Sequence, residues 1–531
     1  MAWSVNCRLI VAQLTLALIL LYLHNINKMM QLDGQLRRSE FDHLPHPVHP
    51  PHRVENDGVQ LGPRSSTLLL PVSRSQNAVQ SDVVRCPHIP KPNVTLDEDW
   101  QRQDHPSGTV YVYSAVYDSR PVQRDPDIGT IRLLVLASGL HGHDPAVYCQ
   151  VWYAEISEPV VVRAELIELD ADVGQLRVGH QIYVQYFVSC LLYRSPTNAE
   201  EVSVTVGDRC GPASTLVPIQ QPAAAATETT EIGICAILAW PVSAESSREF
   251  PLSAPWLLEW MELQLTIFGA SRVFLYAAFD EDLRPLKQLI RLYADRKSLV
   301  VRRIPHPVEG QKRQRREAIG NLRALAVNDC LLRNARQFRY LIDVDVDELI
   351  VPRRVAQNYS DMIARIDSSF VKNMPQLHGG SSSAPSVYFF HVLSFLDDVP
   401  TDDPNYSRFT TTGYFRSRDR PEKEVRRAMI DSSRCVVVSP STGCDVAATA
   451  DAATSVKDDH VDVPLNVAGC HRYRRACASD VECETVSRHL SPIKDNTMLR
   501  FQPRLKFPLI QALKDSGAVD KADLYQVALH A

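Results

Sequence analysis

Hydrophobic and polar positions change rhythm along the chain. Leu9 to Leu23 (LIVAQLTLALILLYL) is a predominantly apolar run, with no charge between Arg8 and Lys28. Counted through Asn27 it spans 19 residues, enough for a thin bilayer, and no small-x-small cleavage site follows. The pattern predicts an uncleaved signal anchor over 9–27 behind a cytoplasmic tail of residues 1–8. Residues 28–85 read as a stem, because the prolines of DHLPHPVHPPHR forbid helix and favour an extended chain. His43, His46, His49 and His52 recur every third residue there; zinc binding and a plain solvated spacer both fit that composition.

From Cys86 to Cys210 the texture becomes short alternating runs. VYVYSAVYD, IRLLVLAS, VYCQVWYAEI, PVVVRAELIEL and HQIYVQYFVSCLLY predict strands separated by turns, and hence a small β-sandwich-like domain over 86–222. Its expected role is packing or positioning an acceptor. AAAATETT, within 223–230, reads as a linker. Beyond it, Ile232 to Trp240 is apolar throughout, as for a strand covered on both faces. Ser253 is placed to cap a helix from Pro255, with Trp256, Trp260, Leu263 and Ile267 on one face and Gly269 at its end. Strand-like Arg272–Phe279, helical Leu283–Ala294, strand-like Ser298–Ile304, helical Arg316–Asn334 and strand-like Phe338–Val344 follow. Alternation of this kind predicts an α/β domain with a mostly parallel sheet over 231–510, followed by a tail of residues 511–531.

Composition narrows the class. The chain has 531 residues, 57 basic against 62 acidic, for a net charge of -5, so nucleic acid is excluded as the main partner. With 45% hydrophobic and 22% charged residues it is neither disordered nor polytopic. Eleven of the 12 cysteines lie beyond the anchor, a load that fits an oxidising compartment. So do the sequons at Asn93, Asn358 and Asn405. The expected topology is therefore a short cytoplasmic tail and a lumenal bulk. Eleven is odd, which leaves a free thiol or an interchain bridge and allows a homodimer.

Candidate chemistry concentrates at Tyr340 to Pro352, YLIDVDVDELIVP. An apolar strand leads into Asp343, Asp345, Asp347 and Glu348, and period two puts the three aspartates on one side. Ligands of open α/β sheets sit beyond the strands' carboxyl ends. Clustered carboxylates there repel one another unless a cation or protons offset them, and their hard oxygens suit magnesium or manganese, which can bridge a diphosphate. The same Asp-x-Asp spacing recurs at Asp97/Asp99, Asp125/Asp127, Asp170/Asp172 and Asp280/Asp282, but there without both apolar flanks.

Taken in order, SAVYDSRP (Ser114–Pro121), LLEWMELQLTIFGASRVFLY (Leu257–Tyr276), AVNDCLLR (Ala326–Arg333), DVDEL (Asp345–Leu349) and CHRYR (Cys470–Arg474) resemble glycosyltransferase family 92. That group is typified by an invertebrate galactosyltransferase acting on core fucose. The resemblance covers about Tyr111 to Tyr473. It implies a GT-A fold, a type II Golgi membrane protein and metal-dependent, inverting transfer from a nucleotide sugar, UDP-galactose first among donors. The acceptor it implies is a glycoprotein glycan. Asp345 and Asp347 would hold Mn2+ or another divalent cation, with His471 as a third ligand or an acceptor contact. Glu259, Asn328, Asp329 and Arg474 would serve the nucleotide sugar, and Asp280 would read uracil or ribose. Glu259 and Glu262 match the family's E-W-x-E, with ordinary exposed helix charge as the other reading. For Asp329 the other reading is an i,i+4 ion pair with Arg333 on a helix surface. Cys477 and Cys483 are expected to close a small disulfide loop.

The chain departs from the pattern at Ala277, Ala278, Gln264, Arg426–Arg427 and Cys444. A carboxylate would take the acceptor's proton, with Asp397, Asp398, Asp402, Asp403, Glu422 and Glu424 as candidates and no catalytic base singled out. Two other classes stand beside the transferase: a catalytically degenerate glycan-binding or scaffold protein, and a metal-dependent phosphoester hydrolase.

Overall fold

The structure is a computed structural model of the chain, and its described residues lie between 84 and 516. Outside them fall 1–83, 121–128, 222–231, 239–253, 308–321, 374–384, 397–415, 419–425, 446–459, 475–491 and 517–531, with shorter loop pieces. The expected anchor, stem and histidine repeat thus lie outside the described residues. Among the described residues no helix is long and apolar enough to cross a membrane. Ser75–Ala531 form one compact unit.

The first half is a closed barrel. Its strands are β1 (Gly108–Asp118), β2 (Gly129–Ala137), β3 (Val147–Tyr153), β4 (Ile156–Glu168), β5 (Gln181–Leu192), β6 (Ala199–Val206) and β7 (Val217–Gln220). They pair in the ring β1-β2-β5-β4-β3-β6-β7-β1, antiparallel except where β7 returns beside β1. The expected sandwich is corrected on two counts. The closing strands β6 and β7 lie beyond the runs read as strands. In addition, β4 belongs to both sides of the ring: Ile156–Arg163 pairs with β3, and Ala164–Glu168 with β5. A long strand that bends between two partners joins what would otherwise be two sheets. Ile131, Leu133, Val135 and Ala137 of β2 point inward, among Val184, Val188, Val202 and Val204. The alternate residues Leu134 and Leu136 point out, into a second apolar cluster.

That second cluster lies against the other half. Strands β8 (Ile232–Leu238), β9 (Arg272–Ala277), β10 (Leu299–Arg303) and β11 (Tyr340–Asp345) are parallel, in the order β10-β9-β8-β11. Here the alternation of helix and strand predicts correctly. Beyond β11 it stops. Strands β12 (Glu348–Pro352), β13 (Val387–Leu396), β14 (Arg426–Asp431), β15 (His460–Val463) and β16 (Ala468–Arg474) follow, with one helix among them. β14 runs antiparallel to β11 and β13, and β12 antiparallel to β16, while β13 is parallel to β15 and β16. The sheet is therefore mixed and curled, which overturns the mostly parallel GT-A sheet expected. Strand outweighs helix among the described residues, 49% to 26%.

Helices α1 (Ala254–Glu262), α2 (Lys287–Asp295), α3 (Arg323–Asn334), α4 (Tyr359–Asn373) and α5 (Gln502–Ser516) complete the fold. α1 continues as a π turn, Leu263–Ile267, closed by the Phe268 N–H bonding the Leu263 carbonyl at 2.8 Å. Gly269, at φ +80, ends it as expected. β8 is covered on both faces: Ile234, Ala236 and Leu238 pack with α1, and Cys235 and Ile237 with α3. α3 in turn lies between the sheet and the barrel's Tyr111, Leu134 and Phe187. Its N-cap, Leu322, has no side-chain acceptor to offer, and Gln185 of β5 supplies one to the Leu325 N–H at 3.1 Å. Ser114 Oγ donates to Asp329 at 2.7 Å, the Tyr113 hydroxyl to the Arg303 carbonyl at 2.6 Å, and Arg120 to the carbonyls of Ser432 and Cys435.

Disulfides join Cys86–Cys210, Cys149–Cys190 and Cys235–Cys330, the last pinning β8 to α3; Cys435 is disulfide-bonded as well. The free thiol among the described residues is Cys470, and it is buried, so it offers no interchain bridge. Cys477 and Cys483 lie outside the described residues. Replacing Cys235 and Cys330 together by Ala opens a closure spanning 95 residues. It should cost about 2–5 kcal/mol, read as a lower denaturation midpoint with a slope that rises as the unfolded chain expands.

Candidate functional site

β11 ends at Asp345 and β12 begins at Glu348, so the chain reverses over Val346 and Asp347. Three successive carbonyls of this turn are held. Trp256 Nε1 donates to the Val346 carbonyl at 3.0 Å, and Trp260 Nε1 to that of Glu348 at 2.7 Å. The Tyr473 N–H of β16 takes the Asp347 carbonyl at 2.9 Å. Trp256 and Trp260 stand four apart on α1, which puts both indoles on one helix face. The rings are fully buried, so their N–H groups need acceptors, and the turn provides them.

Four carboxylates gather here, and three guanidiniums answer them. Arg323, the first residue of α3, donates one nitrogen to Asp343 and another to Asp345. Arg427 of β14 binds Asp345 Oδ2 at 3.0 Å and grips Glu348 through Nε and Nη2, the latter at 2.8 Å. Arg472 of β16 binds Glu348 Oε1 at 2.6 Å, and the Asp345 N–H donates to Glu348 Oε2 at 2.9 Å. Glu348 is fully buried. Burial alone would raise its carboxyl, yet Arg427 and Arg472 carry it well below the ordinary carboxylate range. Asp343 moves the other way, because burial outweighs the pull of Arg323 and Arg427.

Oxygens of Asp345, Asp347 and Glu348 lie within 4.8 Å of one another. An all-carboxylate donor set of that kind suits magnesium or manganese, so these residues fit a divalent cation. Asp343 and Asp345 share Arg323, as two positions of one strand face should, whereas Asp347 reaches the cluster from the turn rather than along the strand.

The other expected site residues are dispersed. His471 pairs with Leu349, and Arg472 with Glu348, so alternation along β16 turns His471 away from Glu348. It is buried, stacked on Phe395 at 4.4 Å, with Nε2 3.3 Å from Arg353 and Nδ1 3.4 Å from the Tyr473 hydroxyl. The residue of CHRYR that meets the acids is Arg472. Asp329 lies between barrel and sheet, where it accepts bonds from Ser114, Tyr276 at 2.8 Å and Arg333 at 2.7 Å. Its i,i+4 partner is the expected one, but the pair is buried rather than on a helix surface. Burial would raise Asp329 and Arg333 brings it below its ordinary value. Asn328 is buried and bonds back to the Ala324 carbonyl at 2.8 Å. Glu259 and Glu262 are buried, not exposed helix charge; Glu262 accepts from Tyr293 and Thr266, both at 2.6 Å. Asp280 and the carboxylates weighed as catalytic bases lie outside the described residues, as does the Arg474 side chain.

Arg323 and Arg472 escape a reading by motif, though Arg323 carries a signal. A cation in the first turn of a helix opposes the helix dipole and implies an anion nearby. Arg427 is one of the pair noted as departing from an expected lysine, while its neighbour Arg426 pairs at the surface with Asp462.

Arg427→Ala should destabilise the fold by about 3–5 kcal/mol, since it strands a buried carboxylate, and urea unfolding measures it. Acid should weaken the native state too. Glu348, Asp329 and Asp118 are all depressed in the fold. Their contribution is full above the unfolded values of about 4 and is lost as pH falls through the folded ones. Asp343, raised, opposes this singly. Unfolding free energy should therefore drop steeply below about pH 4, and less steeply in Glu348→Gln. An unchanged slope in that variant would contradict the assignment.

The family comparison bears on this geometry. Residues 251–439 match the model described as Glycosyltransferase family 92. A search of curated proteins finds no match. The matched span holds α1 with both tryptophans, Arg323, the acidic turn and Arg427; the barrel, Arg472 and His471 fall outside it. The match to glycosyltransferase family 92 thus rests on residues 251–439, the span that carries the acidic turn.

Proposed function

We propose that the chain is a hexosyltransferase that moves galactose from UDP-galactose, with inversion, onto a glycoprotein glycan, with core fucose of N-glycans as the acceptor to try first. The observation that carries this reading is the buried triad Asp345, Asp347 and Glu348 inside the family-matched span. Asp345 and Asp347 are the residues that would hold the metal, manganese in this reading, with Glu348 beside them. When bound, such a cation offsets negative charge developing on the departing nucleotide. The chain's own part is preorganisation. Trp256, Trp260 and the Tyr473 N–H hold the turn's carbonyls, so its carboxylates need not reorganise as charge develops. Arg427 and Arg472 keep Glu348 ionised next to them.

The reading makes the chain a type II membrane protein of the Golgi; the apolar run over 9–27, the cysteine load and the disulfides among the described residues fit an anchored protein with its bulk in an oxidising compartment. The test is thermal unfolding of the full-length chain with UDP-galactose and other nucleotide sugars, each with manganese and again with chelator. A manganese-dependent rise in midpoint with one UDP-sugar is expected. Asp347→Ala should lose that rise and the metal-dependent transfer while remaining folded. No shift with any nucleotide, in a folded sample, would turn the reading toward a glycan-binding scaffold.

A further inference from the structure

Arg323 differs from the other two guanidiniums at the acidic turn. Its side chain is 16% exposed, against 10% for Arg427 and 4% for Arg472. Arg427 and Arg472 converge on Glu348, and moving either would uncover a buried charge. Arg323 instead spreads its hold over Asp343 and Asp345, one nitrogen to each. Its Nε is buried and makes no hydrogen bond among the described residues. It also stands first in α3, where the helix dipole adds positive potential to its own charge.

Both oxygens of Asp345 are engaged, Oδ1 by Arg323 and Oδ2 by Arg427. A divalent cation that takes Asp345 therefore meets the positive charge of a guanidinium at whichever oxygen it binds, and Arg323 is the one whose departure leaves Glu348 paired. Once displaced at the positive end of a helix, Arg323 needs another anion. A diphosphate suits it, since a guanidinium fork matches phosphate oxygens two at a time and a helix N-terminus favours them.

We propose that Arg323 occupies the cation's place at Asp345 in the empty protein and changes partner, from carboxylate to the donor's diphosphate, when cation and nucleotide bind. This rests on the metal-dependent reading given above. It makes Arg323 a link between two ligands: each should bind more tightly when the other is present, partly because the second gives the displaced guanidinium a partner.

The test titrates Mn2+ into the full-length chain, with free aqua ion followed by electron paramagnetic resonance, in the absence and presence of UDP. Arg323→Gln should bind Mn2+ alone about tenfold more tightly than the natural chain, the scale of one partly screened unit charge a few ångströms away. UDP should then tighten Mn2+ binding less in this variant than in the natural chain. Arg323→Lys keeps the charge but loses the two-carboxylate span, and should fall between the two; it carries the test if the Gln variant does not fold. Mn2+ affinity in a folded Arg323 variant no tighter than in the natural chain would overturn the exchange. So would an undiminished effect of UDP. If Asp347→Asn abolishes Mn2+ binding while the Arg323 variants leave it unchanged, the exchange fails and the metal reading stands. If neither the natural chain nor Arg323→Gln binds Mn2+, both fall.

Discussion

A carboxylate with no exposure to water, Glu348, governs the assembly around it. An isolated charge so placed would cost several kcal/mol, and the fold surrounds it with donors from separate strands. Arg427 comes from β14, Arg472 from β16, and a backbone N–H from the end of β11. The register that pairs Glu348 with Arg472 brings the second of these alongside. One buried anion thus ties the parallel half of the mixed sheet to the antiparallel half. It also holds Asp345 and Asp347 beside it, since they occupy the same reversal of the chain.

The barrel is part of the same arrangement. Gln185 completes the first turn of α3, and Ser114 bonds Asp329 near its middle. Arg323 is the residue with which that helix begins. The orientation of Arg323 toward the acids is therefore set partly by a domain that contributes no carboxylate to the turn. Cys235–Cys330 holds the same helix from the sheet side. Residues matching the resemblance, such as SAVYDSRP, prove in this light to be joints: Ser114 and Arg120 both reach across to the other half.

Much of this was legible where the physics is local. β8 to β11 follow from apolar runs alternating with helical spacing, Gly269 from its place after the helix, and the acidic turn from carboxylates following an apolar strand. The barrel's closure was not legible, because β6 and β7 are short and no local pattern says that β7 will lie parallel to β1. The antiparallel half was missed for a related reason: after α4 the sequence between its strands carries no regular hydrophobic spacing from which a strand direction could be read. His471 and Arg472 show the limit most sharply. Which of two adjacent residues faces Glu348 depends on strand register, and a shift of one residue reverses the answer. Asp329 reads in sequence as a site residue or a surface pair; it is buried among Ser114, Tyr276 and Arg333, and that burial depends on a barrel the helix's own sequence does not mention.

Closure of the barrel bears on solubility. So much strand would ordinarily expose rows of unpaired backbone groups, the surfaces through which β-proteins template one another into aggregates. The ring leaves its seven strands no such border. The mixed sheet does have borders among the described residues, at β10, β12, β15 and the strand Pro492–Lys494. β10 ends in Arg302 and Arg303, while the strand Pro492–Lys494 begins with a proline, which has no N–H to give. Charge at one of these margins and proline at another discourage a second chain from adding a strand there, so the closed ring and these two edges leave less of this β-rich fold open to templating.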